Sequence, residues 1–295
     1  MTTGQHDRES ELLQKIALQL IPLKRVAVAL SGGVDSAVLI AAASRILGME
    51  QVLAITVASP MVPESDRNDA VKAADYAHVC HKIIQMPEDL LGNPVFVNNP
   101  PDRCYHCKQL IFNRIIQTAQ SAGFSCVCDG TNADDLTQYR PGLAALEELG
   151  IVSPLACAGL SKADVRELAG TLCPDFSEKP AMACLATRIP HGIAITAESM
   201  RRIDRAEQLM RDHGYRQVRV RDHQGLARLE LSPEMLAEGL SGDQIRQLRT
   251  ILKDCGFRYL TIDLEGYRVG SMEERTKSPT QDACTAEQSN EKENR

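Results

Sequence analysis

The chain has 295 residues, 43% of them hydrophobic, and a formal net charge of −6 at pH 7. That length suits one large domain plus a small one, and the acidic balance argues against a broad basic surface for tRNA or DNA. The polar start, MTTGQHDRESELLQ, has no apolar signal core, and the longest apolar stretch, at 37–43, is far too short to span a bilayer. A cytoplasmic protein is expected, with no membrane and no nucleic-acid partner. Ten cysteines in that compartment read as thiols, ligands or nucleophiles rather than as a disulfide framework.

Leu12, Leu13, Ile16, Ala17 and Leu20 recur at helical spacing before Pro22 and predict a leading amphipathic helix. Strand-like and helical runs then alternate: strand 26–30, helix from Ser36, strand 52–57, helix 64–77, strand 82–85, helix from about Cys107 to Ala122, strand 126–128. Alternation of this kind predicts an α/β fold with a parallel sheet covered by helices on both faces, its ligand at the carboxyl ends of the strands. Ser161, with acid in the turn after it, starts another helix. A Pro-rich, Cys-containing loop follows at 171–191, and the style then changes. A charged helix at 196–213, alternating strands at 217–221 and 226–231, a helix at 242–253 and a strand at 259–264 describe a small α+β domain. The expected domains are 1–190, 191–274 for substrate or oligomer contacts, and a disordered polar tail at 275–295.

The strand at 26–30 runs directly into Ser31-Gly-Gly-Val-Asp-Ser36 and a helix. A glycine turn between a strand and a helix N-terminus makes an anion site from backbone N–H groups and the helix dipole. Gly32 and Gly33 admit close approach of an anion, while Ser31 and Ser36 add hydroxyl donors. The lysine and spacing of a kinase-type loop are absent, so the loop suits a pyrophosphate that leaves. Further on, Asp129-Gly-Thr-Asn-Ala-Asp-Asp135 follows the strand at 126–128. These residues fit a second nucleotide-facing turn or, equally, an ordinary helix cap. Lys162 and Arg166 resemble a recurrent segment of PP-loop enzymes, and a solvated helix face explains them nearly as well.

Cys104-Tyr-His-Cys107 and Cys184, the latter in ACLATR, form a separate constellation. A CxxC pair serves redox, zinc or iron–sulfur chemistry, and no second CxxC is present to close a zinc site. Three thiolates on a cubane would leave one iron open to an outside ligand such as sulfide. Cys80, Cys126, Cys128, Cys157, Cys173 and Cys255 read as small core residues. Arg219 and Arg221 share one strand face and suit bidentate phosphate binding, with a solvated strand face as the alternative. His106 and His191 read as surface or capping residues.

SGGVDS matches the PP-loop ATP pyrophosphatase pattern SGGxDS at every position. Together with NPPDRCYHCK, DGTNADD and ACLATRIP followed by an α+β tail domain, the chain from about Leu12 to Met272 resembles the LarE family of ATP-dependent sulfur transferases. The resemblance implies that ATP is attacked at its α-phosphate, with nucleotide held by Ser31, Gly32, Gly33, Asp35, Ser36, Gly130, Thr131 and Asn132. Asp35 then acts by placing the Mg2+ that bridges the phosphates, and Asp129 and Asp135 are secondary candidates. By the same resemblance, Cys184 would be the sulfur-handling residue. With Cys104 and Cys107 it implies the [4Fe-4S] type, although transfer of the Cys184 sulfur itself is the other route. Glu207, Arg219 and Arg221 would bind the phosphate of pyridinium-3,5-biscarboxylic acid mononucleotide, and a homohexamer is the family's assembly; the sulfide donor is unspecified. The competing readings are an amidating ligase, a tRNA thiolase and a non-catalytic nucleotide or redox sensor. The first leaves the cysteines unexplained, and the second is opposed by the acidic charge.

Overall fold

A computed structural model describes residues 3–86, 92–137, 140–180, 183–215 and 217–268. The expected tail at 275–295 lies outside them. Helix α1 (Thr3–Leu20) buries Leu12, Ile16 and Leu20 to 1% exposure or less, the apolar stripe read from their spacing. Each such side chain contributes about 1.5–3 kcal/mol through burial. Strand β1 (Val26–Ala29), helix α2 (Val34–Leu47), strand β2 (Val52–Ala58), helix α3 (Glu64–Tyr76) and strand β3 (Cys80–Gln85) follow in alternation. Helix α4 (Arg103–Ser121) leads to the short strand β4 (Val127–Cys128), and helix α5 (Lys162–Leu172) comes after it.

The first sheet has the order β3-β2-β1-β4, and all its pairs are parallel. Ala27 pairs with Val127 on one side of β1 and with Leu53 on the other. Two successive crossovers therefore build the sheet in one direction from β1, and the chain later returns to add β4 on the opposite side. This reversal next to β1 is where an open α/β sheet leaves a crevice at the carboxyl ends of its strands. The sheet core is apolar: β2 is buried along its whole length, and most of α2 is buried as well. Edge strand β3 is largely exposed, which corrects the reading of Cys80 as a core residue.

The described chain forms two compact units, the first running to Arg205 and the second beginning at Ala206. The division falls within helix α6 (Ala197–Asp212). The second unit carries a three-stranded sheet of order β5-β6-β7, made of β5 (Val218–His223), β6 (Leu226–Leu231) and β7 (Tyr259–Ile262). The β5–β6 pair is antiparallel and the β6–β7 pair parallel, the crossover being provided by α7 (Gly242–Asp254) behind a Ser241–Gln244 capping box. Among the described residues no helix is long and apolar enough to cross a membrane.

Candidate active site

The loop from Ser31 to Gly33 leaves the end of β1 and caps α2. Gly32 takes φ +79°, and a Cβ there would lie 2.0 Å from the Asp66 carbonyl oxygen. Only glycine allows α3 to pack so closely behind the loop. The Ser36 hydroxyl donates to the Gly33 carbonyl at 3.0 Å and accepts the Ser31 N–H at 3.2 Å, which rigidifies the turn from within. The turn after β4 lies against it: a Cβ on Gly130 would sit 2.8 Å from the Ser36 backbone nitrogen. Asp129 holds this turn by accepting the Thr131 hydroxyl and the Ser153 hydroxyl, each at 2.6 Å. Asn132 and Asp135 exchange reciprocal bonds with each other's backbone N–H at 3.2 Å, a cap geometry. Asn132 nevertheless also reaches the site, its amide donating to Asp35 at 3.1 Å. Lys162 makes an ion pair with the other oxygen of the same carboxylate. The cap reading and the nucleotide-side reading thus coincide in one residue.

Between the two turns opens a cleft of about 300 Å³, lined among others by Ser31, Asp35, Ser36, Asp129, Gly130, Thr131 and Asp135. Its other wall is α4, through Lys108, Ile111, Phe112 and Ile115. Burial lowers the pKa of Lys108, and the Asp129 carboxylate opposes that effect. A cation beside an apolar wall and an anion loop forms a pocket with one charged and one flat side, matched to a nucleotide's phosphates and its ring. Lys108 was not singled out by its sequence context. Arg166, by contrast, donates to the Ser177 and Lys179 carbonyls and braces a loop instead.

Helix α4 begins at Arg103, four residues before the expected start, so Cys104 and Cys107 lie one turn apart on it. Buried Arg103 joins this helix to the Cys184 segment by donating to the Asn99 side chain and to the Ala186 carbonyl, with Cys104 Sγ at 4.0 Å. Asn99, fully buried, donates in turn to the Ile189, Pro190 and Ile193 carbonyls. The Leu185 N–H is held by the Met61 carbonyl at 2.9 Å. Cys104, Cys107 and Cys184 are close enough that charge on one raises the pKa of another. Burial is the larger cause for Cys107, and Cys104 and Cys184 add to it. Cys184 keeps an exposed edge, but protein packed around it raises its thiol pKa, while Arg103, the Ala186 N–H and Arg188 pull it back down. Among the described residues no three Cys, His, Asp or Glu side chains are arranged to hold a metal ion.

The model of the NAD synthase family matches residues 8–90, which include the whole Ser31–Ser36 loop. An uncharacterised protein of Synechocystis, slr1717, is 40% identical over 85% of this chain and 92% of its own length. The pyridinium-3,5-bisthiocarboxylic acid mononucleotide synthase of Lactiplantibacillus plantarum is 34% identical over 85% of this chain and 89% of its own length. The chain belongs to that synthase family, LarE. An NH(3)-dependent NAD(+) synthetase of Hyperthermus butylicus is 32% identical, but over only 50% of this chain. The likeness to an amidating enzyme is therefore partial, whereas the likeness to the LarE synthase runs along most of both chains.

The remaining expected residues of this LarE-family chain lie in the second unit. Glu207, Arg219 and Arg221 are each at 5% exposure or less, so the guanidiniums do not form a solvated strand face. Glu207 accepts the Val220 N–H at 3.1 Å, Arg221 pairs with buried Glu230 at 2.6 Å, and Arg219 stacks over Tyr267. His106 binds Asp102 on an exposed helix face, and His191 leans on the Asn99 carbonyl, as surface and capping residues do. Cys128, Cys173 and Cys255 are buried as expected, but Cys157 is exposed, as Cys80 is. Cys126 and Cys128, two positions apart, affect each other's titration, lowering the pKa of Cys126 and raising that of Cys128.

Proposed function

We propose that the protein is an ATP-dependent sulfur transferase that converts a carboxylate of pyridinium-3,5-biscarboxylic acid mononucleotide into a thiocarboxylate. The observation that carries this reading is the double duty of α4: Lys108, Ile111 and Phe112 line the nucleotide cleft, and Cys104 and Cys107 lie within the preceding turn or so of the same helix. At about 1.5 Å rise per residue the cleft and the thiols are one short step apart along the helix axis. Activation and sulfur transfer thus have adjacent places to occur.

In the first step a substrate carboxylate oxygen attacks the α-phosphorus of ATP, the α–β bridging bond breaks, and pyrophosphate leaves. The backbone N–H groups at the start of α2 and the Ser31 and Ser36 hydroxyls would hold the phosphates, with Lys108 facing them. The Asp35 carboxylate, oriented by Asn132 and Lys162, supplies hard oxygen donors of the kind Mg2+ takes. In the second step sulfur attacks the activated carbonyl carbon, the C–S bond forms and AMP leaves. Sulfide gives the thiocarboxylate directly, whereas the Cys184 thiolate gives a thioester whose Cβ–S bond must then break by β-elimination, releasing the thiocarboxylate and leaving dehydroalanine in place of Cys184. The donor chemistry of Cys104, Cys107 and Cys184, three soft thiols beside Arg103, fits a [4Fe-4S] cluster, which would supply exchangeable sulfide when bound. Arg219 and Arg221 would receive the substrate's own phosphate. The same reading includes assembly as a homo-oligomer.

The test is pyrophosphate release from full-length protein with ATP and the pyridinium dicarboxylate mononucleotide. Substrate-dependent release that persists in Cys184→Ala, with thiocarboxylate formation abolished, is expected. Release stimulated by bulk tRNA instead would overturn the substrate, and thiolation by the alanine variant would remove Cys184 from the reaction. Anaerobic iron and labile-sulfide analysis checks the cluster, and protein without iron would sink it.

A further inference from the structure

Lys179 lies outside the expected site, yet its ammonium is one of the most tightly held in the first unit. It donates to the Gly32 carbonyl at 2.7 Å, to Asp66 at 2.9 Å and to Asp69 at 2.6 Å, and its side chain is 12% exposed. All three protons of a lysine are thereby used. We propose that Lys179 is a positioning residue that couples the phosphate loop to the cysteine-bearing segment, an inference that rests on the adenylation reading above.

One side of the coupling is the loop. Pinning the Gly32 carbonyl fixes the plane of the Gly32–Gly33 peptide, and with it the Gly33 N–H on the far side of that plane. The left-handed Gly32 has few intrinsic constraints of its own, so this bond selects one orientation from several. The charge balance decides how Lys179 acts. Asp66 and Asp69 both face the Lys179 ammonium, and Lys72 also reaches Asp69 at 3.1 Å, so the Lys179 cation is neutralised locally and holds the loop in place instead of attracting phosphate itself. Removing it would also withdraw one positive charge from behind an anion site.

The other side is the segment that leads to Cys184. Lys179 gives its own N–H to the Phe176 carbonyl at 3.1 Å, and its carbonyl accepts from Arg166 at 2.9 Å. Beyond it, Arg188 donates to the Ala183 carbonyl at 2.7 Å and the Leu185 N–H is held by Met61. Cys184 is therefore anchored on both immediate flanks, and Lys179, five residues before it in the chain, is bonded to the loop that receives the phosphates. A shift of the loop on nucleotide binding is transmitted to the sulfur residue through this side chain.

The experiment uses full-length protein freed of iron by chelation, so that Cys184 is a free thiol, and two readouts: calorimetric binding of α,β-methylene-ATP, and the rate of Cys184 alkylation by iodoacetamide with and without that analogue, followed by mass spectrometry. In the wild type the analogue should change the alkylation rate by about fivefold or more. Lys179→Met should weaken analogue binding by about tenfold or more and abolish the alkylation change even at saturation, and Lys179→Arg should restore most of both. Unchanged binding, or a full alkylation response in saturated Lys179→Met, overturns the coupling. If circular dichroism shows that Lys179→Met does not fold, Asp69→Asn, which removes one anchor of the ammonium, should reduce the response, and an unreduced response overturns the proposal. A wild type that binds no analogue would instead sink the adenylation reading.

Discussion

Gly130 shows how little freedom the site has. A methyl there would meet the Ser36 nitrogen at 2.8 Å and the Asp35 carbonyl carbon at 3.0 Å, both backbone atoms with no flexible end to yield. Gly130→Ala is expected to cost about 1–3 kcal/mol of stability, as overpacked positions do, and to abolish nucleotide binding, checked by thermal unfolding and by titration with an ATP analogue. Asp35 depends on its two partners, so Asn132→Ala should lower the rate of pyrophosphate release by about tenfold without unfolding the protein, in line with loss of one charged hydrogen bond. Within each motif, bonds such as Ser36 to Gly33 and Asn132 to Asp135 were legible because the partners are close in sequence, whereas the ties of Asn132 and Lys162 to Asp35 span 97 and 127 residues and were not. Lys179 was not: its acceptors lie 147, 113 and 110 residues away. Arg103 was hidden for the same reason, since its tie to Ala186 spans 83 residues.

Periodicity located the elements well wherever one face is buried. Helix α1 was legible from Leu12, Ile16 and Leu20 alone, and Ile16→Ala should cost about 2–5 kcal/mol in chemical denaturation. Failures came at boundaries and edges. The start of α4 is set by the Pro100-Pro101-Asp102 turn, which carries no apolar period, and Cys80 looked like core because a strand was assumed to be covered on both faces. The same edge strand holds a pH-sensitive side chain. His81 donates through Nε2 to the Thr56 hydroxyl at 2.8 Å, and Thr56 donates to the Leu30 carbonyl at 2.7 Å, just before the phosphate loop. Burial lowers the His81 pKa, opposed in part by Asp75. The folded protein thus takes up this proton less readily than the unfolded chain. Its contribution is full above about pH 6.5 and is lost as pH falls through the lowered value. Between pH 7 and pH 5 the urea midpoint should therefore fall, and it should fall less in His81→Gln.

At the scale of the molecule, the cleft belongs wholly to the first unit, while Arg219, Arg221 and Glu207 belong to the second. Nucleotide should accordingly stabilise the first unit selectively. At about 100 times its Kd an ATP analogue is expected to add about 2.7 kcal/mol, with hydrogen-exchange protection rising across 26–47 and 127–133. Protection confined to 218–262 would place the nucleotide elsewhere. The sequence pattern changes after residue 191, whereas the compact units divide at 205, inside the charged helix that follows that change. The interior charge network of the second unit was not legible, because an Arg-Val-Arg strand reads alike whether its guanidiniums meet water or Glu230.

The pairing of Ala27 with Val127 sets a limit on how the protein acquires its activity. That contact closes a loop of about a hundred residues, and such closures come late because chain entropy is lost before the contact repays it. Both halves of the cleft meet only there. During refolding, the sheet of β1, β2 and β3 has local crossovers and can form first, but it has half a binding site. Recovery of nucleotide binding should therefore lag behind recovery of secondary structure, and ATP in the refolding buffer should trap finished molecules without hastening their appearance.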